Sequence, residues 1–319
     1  MSLMSSLRRA TPPSVAVALA ADHVSAASID VRGGTATVAA YAAEPLAPGA
    51  IVPSLTALNI HDRAAVIGAL GRLFDRLGGR PRRIGLVIPD PAAKVSLVRF
   101  ERVPARRQDL DQLVRWQVRK TAPFPIEEAQ VSYRAGLRTA DGQEFVVSIA
   151  RRDIIEEYEQ VCAEVGAHAG LVDLATFNII NAVLAGSAPP PNDWLLVNVA
   201  ADYASIAILR GEHLIFFRNR TSDTEGSLTD LVHQTAMYYE DRLSGGGFGR
   251  VLLVGGADTR QAAEVAMMRR SLQERLTSPV ELVDPREAAA LTDRISAAPA
   301  LLETLAPLVG LLLRGRDAA

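Results

Sequence analysis

Residues Leu195 to Arg218, LLVNVAADYASIAILRGEHLIFFR, alternate as two or three β-strands joined by tight turns. A strand pair of this outline can cradle nucleotide phosphates when the first strand ends in Asp-x-Gly and a Gly- and Thr-rich turn follows. The carboxylate holds magnesium through hard oxygen, and glycine lets the backbone amides close on phosphate oxygens. Here the Asp position is Asn198, the Gly position is Ala200, and the turn reads AADYAS. Three readings follow: a nucleotide site, a decayed one, or a strand pair alone.

Other residues that could do chemistry are few. Ser244 to Arg250, SGGGFGR, has the glycines of a phosphate loop. It lies between a helix end and a strand, the reverse of the order an anion site needs, and reads as a connection. Gly255 and Gly256 follow a strand and precede a helix. That order suits the adenosine side of a nucleotide and equally a tight strand-to-helix turn, which is the favoured reading. His23, His61, His168, His213 and His233 show no metal-ligand spacing, and the single cysteine, Cys162, completes none. Cys162 sits on the apolar side of a helix and reads as core, and no Gly-x-Ser-x-Gly elbow is present.

Composition narrows the classes further. The 319 residues are 49% apolar and 22% charged with a net charge of -2, which disfavours disorder and nucleic-acid binding by bulk charge. One cysteine allows no intrachain disulfide. No apolar run reaches the roughly 18 residues of a membrane span. SLRRATPPSVAVALAADHVSA has the outline of a secretory signal, but Pro12, Pro13, Asp22 and His23 interrupt it, and a first β-strand is the better reading.

These residues need a scaffold, and the chain suggests one. SVAVALAA, HVSAASIDVRGG and TATVAAYAAEPL read as strands, with a tight turn at Gly33-Gly34. HDRAAVIGALGRLFDRLGG then reads as a helix and RRIGLVIPD as a buried strand. WLLVNVA, ASIAILRG, HLIFFRNR, SLTDLVHQTAMYYEDRL and RVLLVGG repeat that order: three strands, helix, strand. Such a repeat is the mark of a duplicated ribonuclease-H-like unit. The expected division is a first lobe over 14–92 and 174–188, an inserted α/β subdomain over 93–173, and a second lobe over 193–319, with LAGSAPPPND as linker.

Within the insertion, LVRWQVRKTAPFPIEEAQVSY resembles the hallmark stretch of the PilM family of type IV pilus assembly proteins. The matching residues are Trp116, Pro123, Phe124, Pro125, Ile126, Glu127, Glu128 and Tyr133, with Gln117 where the family has Glu. VIPD at Val87, EVGAHAGLVD at Glu164, LLVGGA at Leu252 and PVELVDP at Pro279 fall in family order. The resemblance implies an actin-like fold, shared with the cell-division protein FtsA and the cytoplasmic part of the secretion protein GspL.

The departures from the family are specific. Its first phosphate loop carries Asp, Gly and Lys where this chain has Ala18, Ala20 and Ser25; its second carries Asp, Gly and Thr where this chain has Asn198, Ala200 and Ala204. FFRNRTSDTEGSLTDLVH passes almost directly from strand to helix, so the small subdomain of the second lobe is expected to be mostly missing, with none between Arg218 and Leu228. Together these losses imply a decayed nucleotide site, no cofactor and no catalysis. The alternative is a working ATPase that takes ATP with magnesium through variant ligands, for which Asp22, Asp30 and Asp202 are the nearby acids.

The resemblance further implies a cytoplasmic scaffold at the inner-membrane face, peripheral to the membrane. It would bind the short cytoplasmic segment of a PilN-like bitopic protein in a groove between first lobe and insertion. Other platform proteins of the pilus, or a homo-oligomer, are compatible partners; nucleic acid is not. An adaptor of a GspL-like type II secretion machine is the neighbouring alternative. Arg99, Arg102, Arg106, Arg107, Arg115, Arg119 and Lys120 make the insertion basic. That face is either a solvated helix or a surface for an acidic partner or anionic lipid. Arg115, Trp116, Arg119, Phe124 and Ile126 are the residues expected to bind the partner, with burial inside the insertion as the competing account.

Overall fold

In the computed structural model, residues 13–222, 227–257, 262–276 and 279–314 are described. The first strands are β1 (Val15–Leu19), β2 (His23–Arg32) and β3 (Thr35–Pro45), an antiparallel meander. Gly33 and Gly34 turn β2 into β3 with φ of 57° and 83°. A two-residue hairpin turn of this hand needs both residues left-handed. Helix α1 (Arg63–Leu77) starts where the Asp62 side chain accepts the Ala65 N–H, and it ends at Gly78 with φ 88°. β4 (Arg83–Ile88) then lies parallel to β1.

Strand alternation sorts the side chains into two cores. Val17, Leu19, Val24 and Ala26 meet Val66, Leu70 and Phe74 of α1 on one face. Ala16, Ala18, Ala27 and Ile29 point to the other. That second face is covered by α7 (Pro299–Leu313), through Leu305, Leu308, Val309 and Leu312.

The second half repeats the plan. β9 (Trp194–Val199), β10 (Tyr203–Arg210) and β11 (His213–Thr221) form an antiparallel meander. α5 (Leu228–Arg242), β12 (Arg250–Val254), α6 (Ala262–Arg275) and β13 (Val280–Leu282) follow, giving a five-stranded sheet in the order β11-β10-β9-β12-β13. Ser227 and Asp230 cap α5 reciprocally. β11 runs to Thr221 and α5 starts at Leu228; Asp223 to Gly226, within the stretch where no subdomain is expected, lie outside the described residues.

Between β4 and the second half stand β5 (Lys94–Phe100), α2 (Arg107–Arg119), β6 (Ala129–Thr139), β7 (Gly142–Arg151), α3 (Arg152–Glu164), β8 (His168–Leu174) and α4 (Ala175–Gly186). β5, β7 and β6 make an antiparallel three-stranded sheet with α2 packed on one face.

Two elements lie elsewhere than the sequence suggests. β8, grouped above with the insertion, pairs parallel with β4 and becomes the outer strand of the first sheet. β14 (Ala290–Leu291) pairs with β3, so that sheet runs β14-β3-β2-β1-β4-β8. With α7 it carries the C-terminal segment back to the first lobe, because the Ala16–Ala18 face needs an apolar cover that α1, on the opposite side, does not supply. α7 crosses α4 closely: a Cβ on Gly310 would lie 2.6 Å from the Asn178 carbonyl carbon and 2.9 Å from the Ala182 nitrogen.

Candidate functional site: an interlobe network and an open groove

The two meanders bring their first turns together between the lobes. Ala18 is buried at the end of β1, opposite Ser25 on β2. Ser25 is fully buried and its hydroxyl finds no hydrogen-bond partner among the described residues. Ala20 donates its N–H to the His23 carbonyl at 2.9 Å, and Ala200 donates its own to Tyr203 at 2.9 Å, so both turns close on themselves. Ala204 faces the core under α5.

A network of buried hydrogen bonds links the two halves beside those turns. Asp90, in the short helical turn after β4, is fully buried. It accepts the Thr176 N–H at 3.0 Å, the Thr176 hydroxyl, and the Ser205 hydroxyl at 2.6 Å. Asn198 in turn donates its amide to the Thr176 hydroxyl oxygen at 2.9 Å. Asp90 and Thr176 belong to the first half, Asn198 and Ser205 to the second, so the network ties one to the other. Burial pushes the Asp90 carboxyl above the usual carboxylate range, against the pull of the Ser205 and Thr176 hydrogen bonds. Sequence reasoning missed Asp90, although Pro-Asp closing a buried strand was a visible signal.

Gly255 and Gly256 have φ of 113° and 96°. A Cβ on Gly255 would lie 2.9 Å from the Val199 Cβ, and one on Gly256 2.7 Å from a Val265 methyl. Both glycines therefore sit too close to β9 and α6 for a side chain. A magnesium–nucleotide site would need carboxylates with free lone pairs facing a space. Asp90 is engaged by its neighbours, Ala18 and Asn198 carry no charge, and the described residues hold no group of three potential metal ligands.

Two further acids sit on the paired turns. Asp22 contacts His23 Nδ1 at 2.7 Å. Asp202 is pushed up to about 6, mainly by burial and further by Asp22. The sign follows from a folded value above the unfolded one. The penalty is absent below about pH 4, grows as pH rises towards 6, and is complete above it. Asp202→Asn is therefore expected to raise stability at pH 7.5 by about 1–2 kcal/mol, allowing for solvent screening. The gain should disappear below about pH 4, as denaturant melts at the two pH values will show.

A second feature is open. A groove of about 880 Å³ runs between the first sheet, the insertion and the β10–β11 turn. Ser132 and Arg134 of β6, Val146 and Ser148 of β7, Leu171 and Asp173 of β8, and Phe177 and Ile180 of α4 line it. β8 is the outer strand of the six-stranded sheet and β6 the outer strand of the three-stranded one, so two strand edges border the same groove. Such edges offer unpaired backbone donors and acceptors to an extended chain. Arg314 bridges to Asp173 along the wall, pulling against the burial that raises the Asp173 carboxyl.

The residues expected to bind the partner stand on the other face of the three-stranded sheet. Along β7, Phe145, Val147 and Ile149 point to α2, whereas Val146, Ser148 and Ala150 point to the groove. Phe124 and Ile126 pack into the α2 side, Ile126 only 9% exposed. Arg115, Trp116 and Arg119 are exposed on the outward face of α2, and Trp116 is 59% accessible. None of the five lines the groove. The signal for the groove was instead the small side chains Ser148 and Ala150 alternating with large ones.

Comparison with known proteins bears on both features. The family model described as type IV pilus assembly protein PilM matches residues 17–242. A solved PilM–PilN type IV pilus biogenesis complex is similar in fold with a TM-score of 0.79 at 18% identity, covering 95% of this chain and 98% of that one. A Bacteroides thetaiotaomicron protein with an actin-like ATPase fold and unknown function gives 0.53 at 10% identity, covering 98% of each chain. The cytoplasmic domain of EpsL, an inner-membrane component of the Vibrio cholerae type II secretion system, gives 0.50 at 11% identity, covering 94% of this chain and 98% of that one. The fold is actin-like.

Proposed function

Since the chain belongs to the PilM family of type IV pilus assembly proteins, we propose that it works as a non-enzymatic scaffold of pilus assembly. Its groove receives the short cytoplasmic segment of a PilN-like bitopic inner-membrane protein, which holds the scaffold at the cytoplasmic face of that membrane. The observation that carries this reading is the groove itself, bordered by the edges of β6 and β8 and floored by Phe177 and Ile180. An extended segment gains backbone hydrogen bonds from an edge and places alternate side chains on the apolar floor. Micromolar affinity requires only about 8 kcal/mol, within reach of a few buried anchors.

The cleft between the lobes is a decayed nucleotide site in this reading. The Asp90–Thr176–Ser205–Asn198 network supports it, because a nucleotide would have to break those bonds before making its own. Calorimetric titration with magnesium and ATP is expected to give no isotherm at micromolar concentrations. Fluorescence anisotropy with the labelled cytoplasmic peptide of the PilN-like protein should give saturable binding in the same buffer. A micromolar ATP isotherm would overturn the first statement, and an unsaturable peptide titration the second.

A further inference from the structure

The outward face of α2 is chemically unlike the rest of the molecule. Between Arg99 and Lys120 the sequence holds seven cations against three acids, a surplus of four in a chain whose net charge is -2. On the last two turns of the helix and at its C-cap, Arg115, Trp116, Arg119 and Lys120 are all exposed, and Trp116 lies on the side opposite the buried Val114 and Val118. The acids of this helix lie nearer its start, where Asp109 is in the first turn and Asp111 accepts the Tyr133 hydroxyl. Lys120 Nζ lies 5.4 Å from the centre of the Trp116 ring.

Burial does not explain Trp116, which is 59% exposed while its chain neighbours on the inner face are covered. A tryptophan flanked by arginine and lysine on a helix surface is the arrangement that settles at a lipid headgroup layer. The ring suits the boundary between water and acyl chains, and the long basic stems reach phosphates around it. We propose that this face of α2 docks on anionic lipid headgroups. The surface is on the opposite side of the three-stranded sheet from the groove, so lipid and peptide can be held together. It rests on charge and exposure alone and stands independently of what the groove binds.

The test uses the whole protein with vesicles and no peptide. The chain has two tryptophans, and Trp194 is 1% exposed, so a change in emission reports Trp116. With vesicles containing about one-third phosphatidylglycerol, emission should shift to the blue and the protein should co-float. With pure phosphatidylcholine neither should occur. Each basic side chain near an anionic leaflet contributes about fivefold in affinity, so Arg115→Glu with Arg119→Glu should weaken flotation by at least ~25-fold. Salt at about 0.5 M should release the wild type. Trp116→Phe should abolish the emission shift while keeping most of the flotation. Unchanged melting of all variants is expected, because the three side chains are exposed. Wild type that ignores anionic vesicles, or a double Glu variant that floats as well as wild type, would overturn the proposal. If vesicles are ignored and the double Glu variant still blocks pilus assembly in cells, the face serves an acidic protein instead and the lipid assignment is wrong.

Discussion

Ser148→Trp is expected to cut affinity for the partner's cytoplasmic peptide by ~10- to 100-fold without lowering the melting temperature. Ser148 is central on β7, registered between Val95 of β5 and Ser132 of β6, and it points into the groove. An indole there fills space inside the groove rather than a packed core. Displacing one apolar anchor of the peptide costs about 1.5–3 kcal/mol, which is the range stated. Arg115→Glu with Arg119→Glu, on the far face of the same sheet, should leave this affinity within about threefold. Equal losses from both variants would move the peptide site to α2; no loss from Ser148→Trp would remove it from the groove.

Gly310→Ala should destabilise the fold by about 3 kcal/mol or more. Two effects oppose each other. Alanine is the better helix former by about 1 kcal/mol, which favours the substitution. The new methyl, however, would overlap the Asn178 carbonyl oxygen and lie 2.6 Å from its carbon, and backbone cannot rotate aside as a side chain can. α7 must then lift from α4. Leu308 and Val309 lose part of the core over β1 and β2, and Ala306 part of the core shared with β9 and β12. Overpacking of this kind costs 1–3 kcal/mol and more where backbone is struck. Gly71→Ala in α1 is the control, since its Cβ meets nothing within 4 Å. It should gain a few tenths to 1 kcal/mol. Thermal melts of the two variants should therefore move in opposite directions, and a Gly310→Ala protein as stable as wild type would refute the crossing.

How much of this was legible in the sequence depends on the range of the signal. The strands and helices followed from periods of two and 3.6 residues and from local devices such as Asp62 and Gly33-Gly34. That Ala18 and Asn198 carry no charge where the family has Asp was also legible, whatever surrounds them. The Asp90 network was not, because its members come from positions 86 and 115 residues apart. No periodicity announces a contact between a strand end, a helix start and a second meander. The return of α7 was hidden for a related reason. Its apolar pattern says that the helix is buried, and both lobes needed a cover. Trp116, Phe124 and Ile126 were singled out within the family motif, and Arg115 and Arg119 on the basic helix face beside it. Strand alternation in β7 places that motif and the groove on opposite faces of one sheet.

The Asp90 network also bears on timing. Actin-like ATPases carry an internal timer: a nucleotide is taken up, spent and released, and the lobes change relation as it goes. In this protein Asp90 and Thr176 are joined to Ser205 and Asn198 by the chain's own hydrogen bonds, and the Phe177 and Phe217 rings meet at a tilt, 5.3 Å between centres, across the same boundary. If the cleft takes no nucleotide, as proposed, nothing inside the molecule marks before from after. Its occupancy would follow partner concentration reversibly, and any direction or order in the building of a pilus would have to be imposed by other, energy-consuming components.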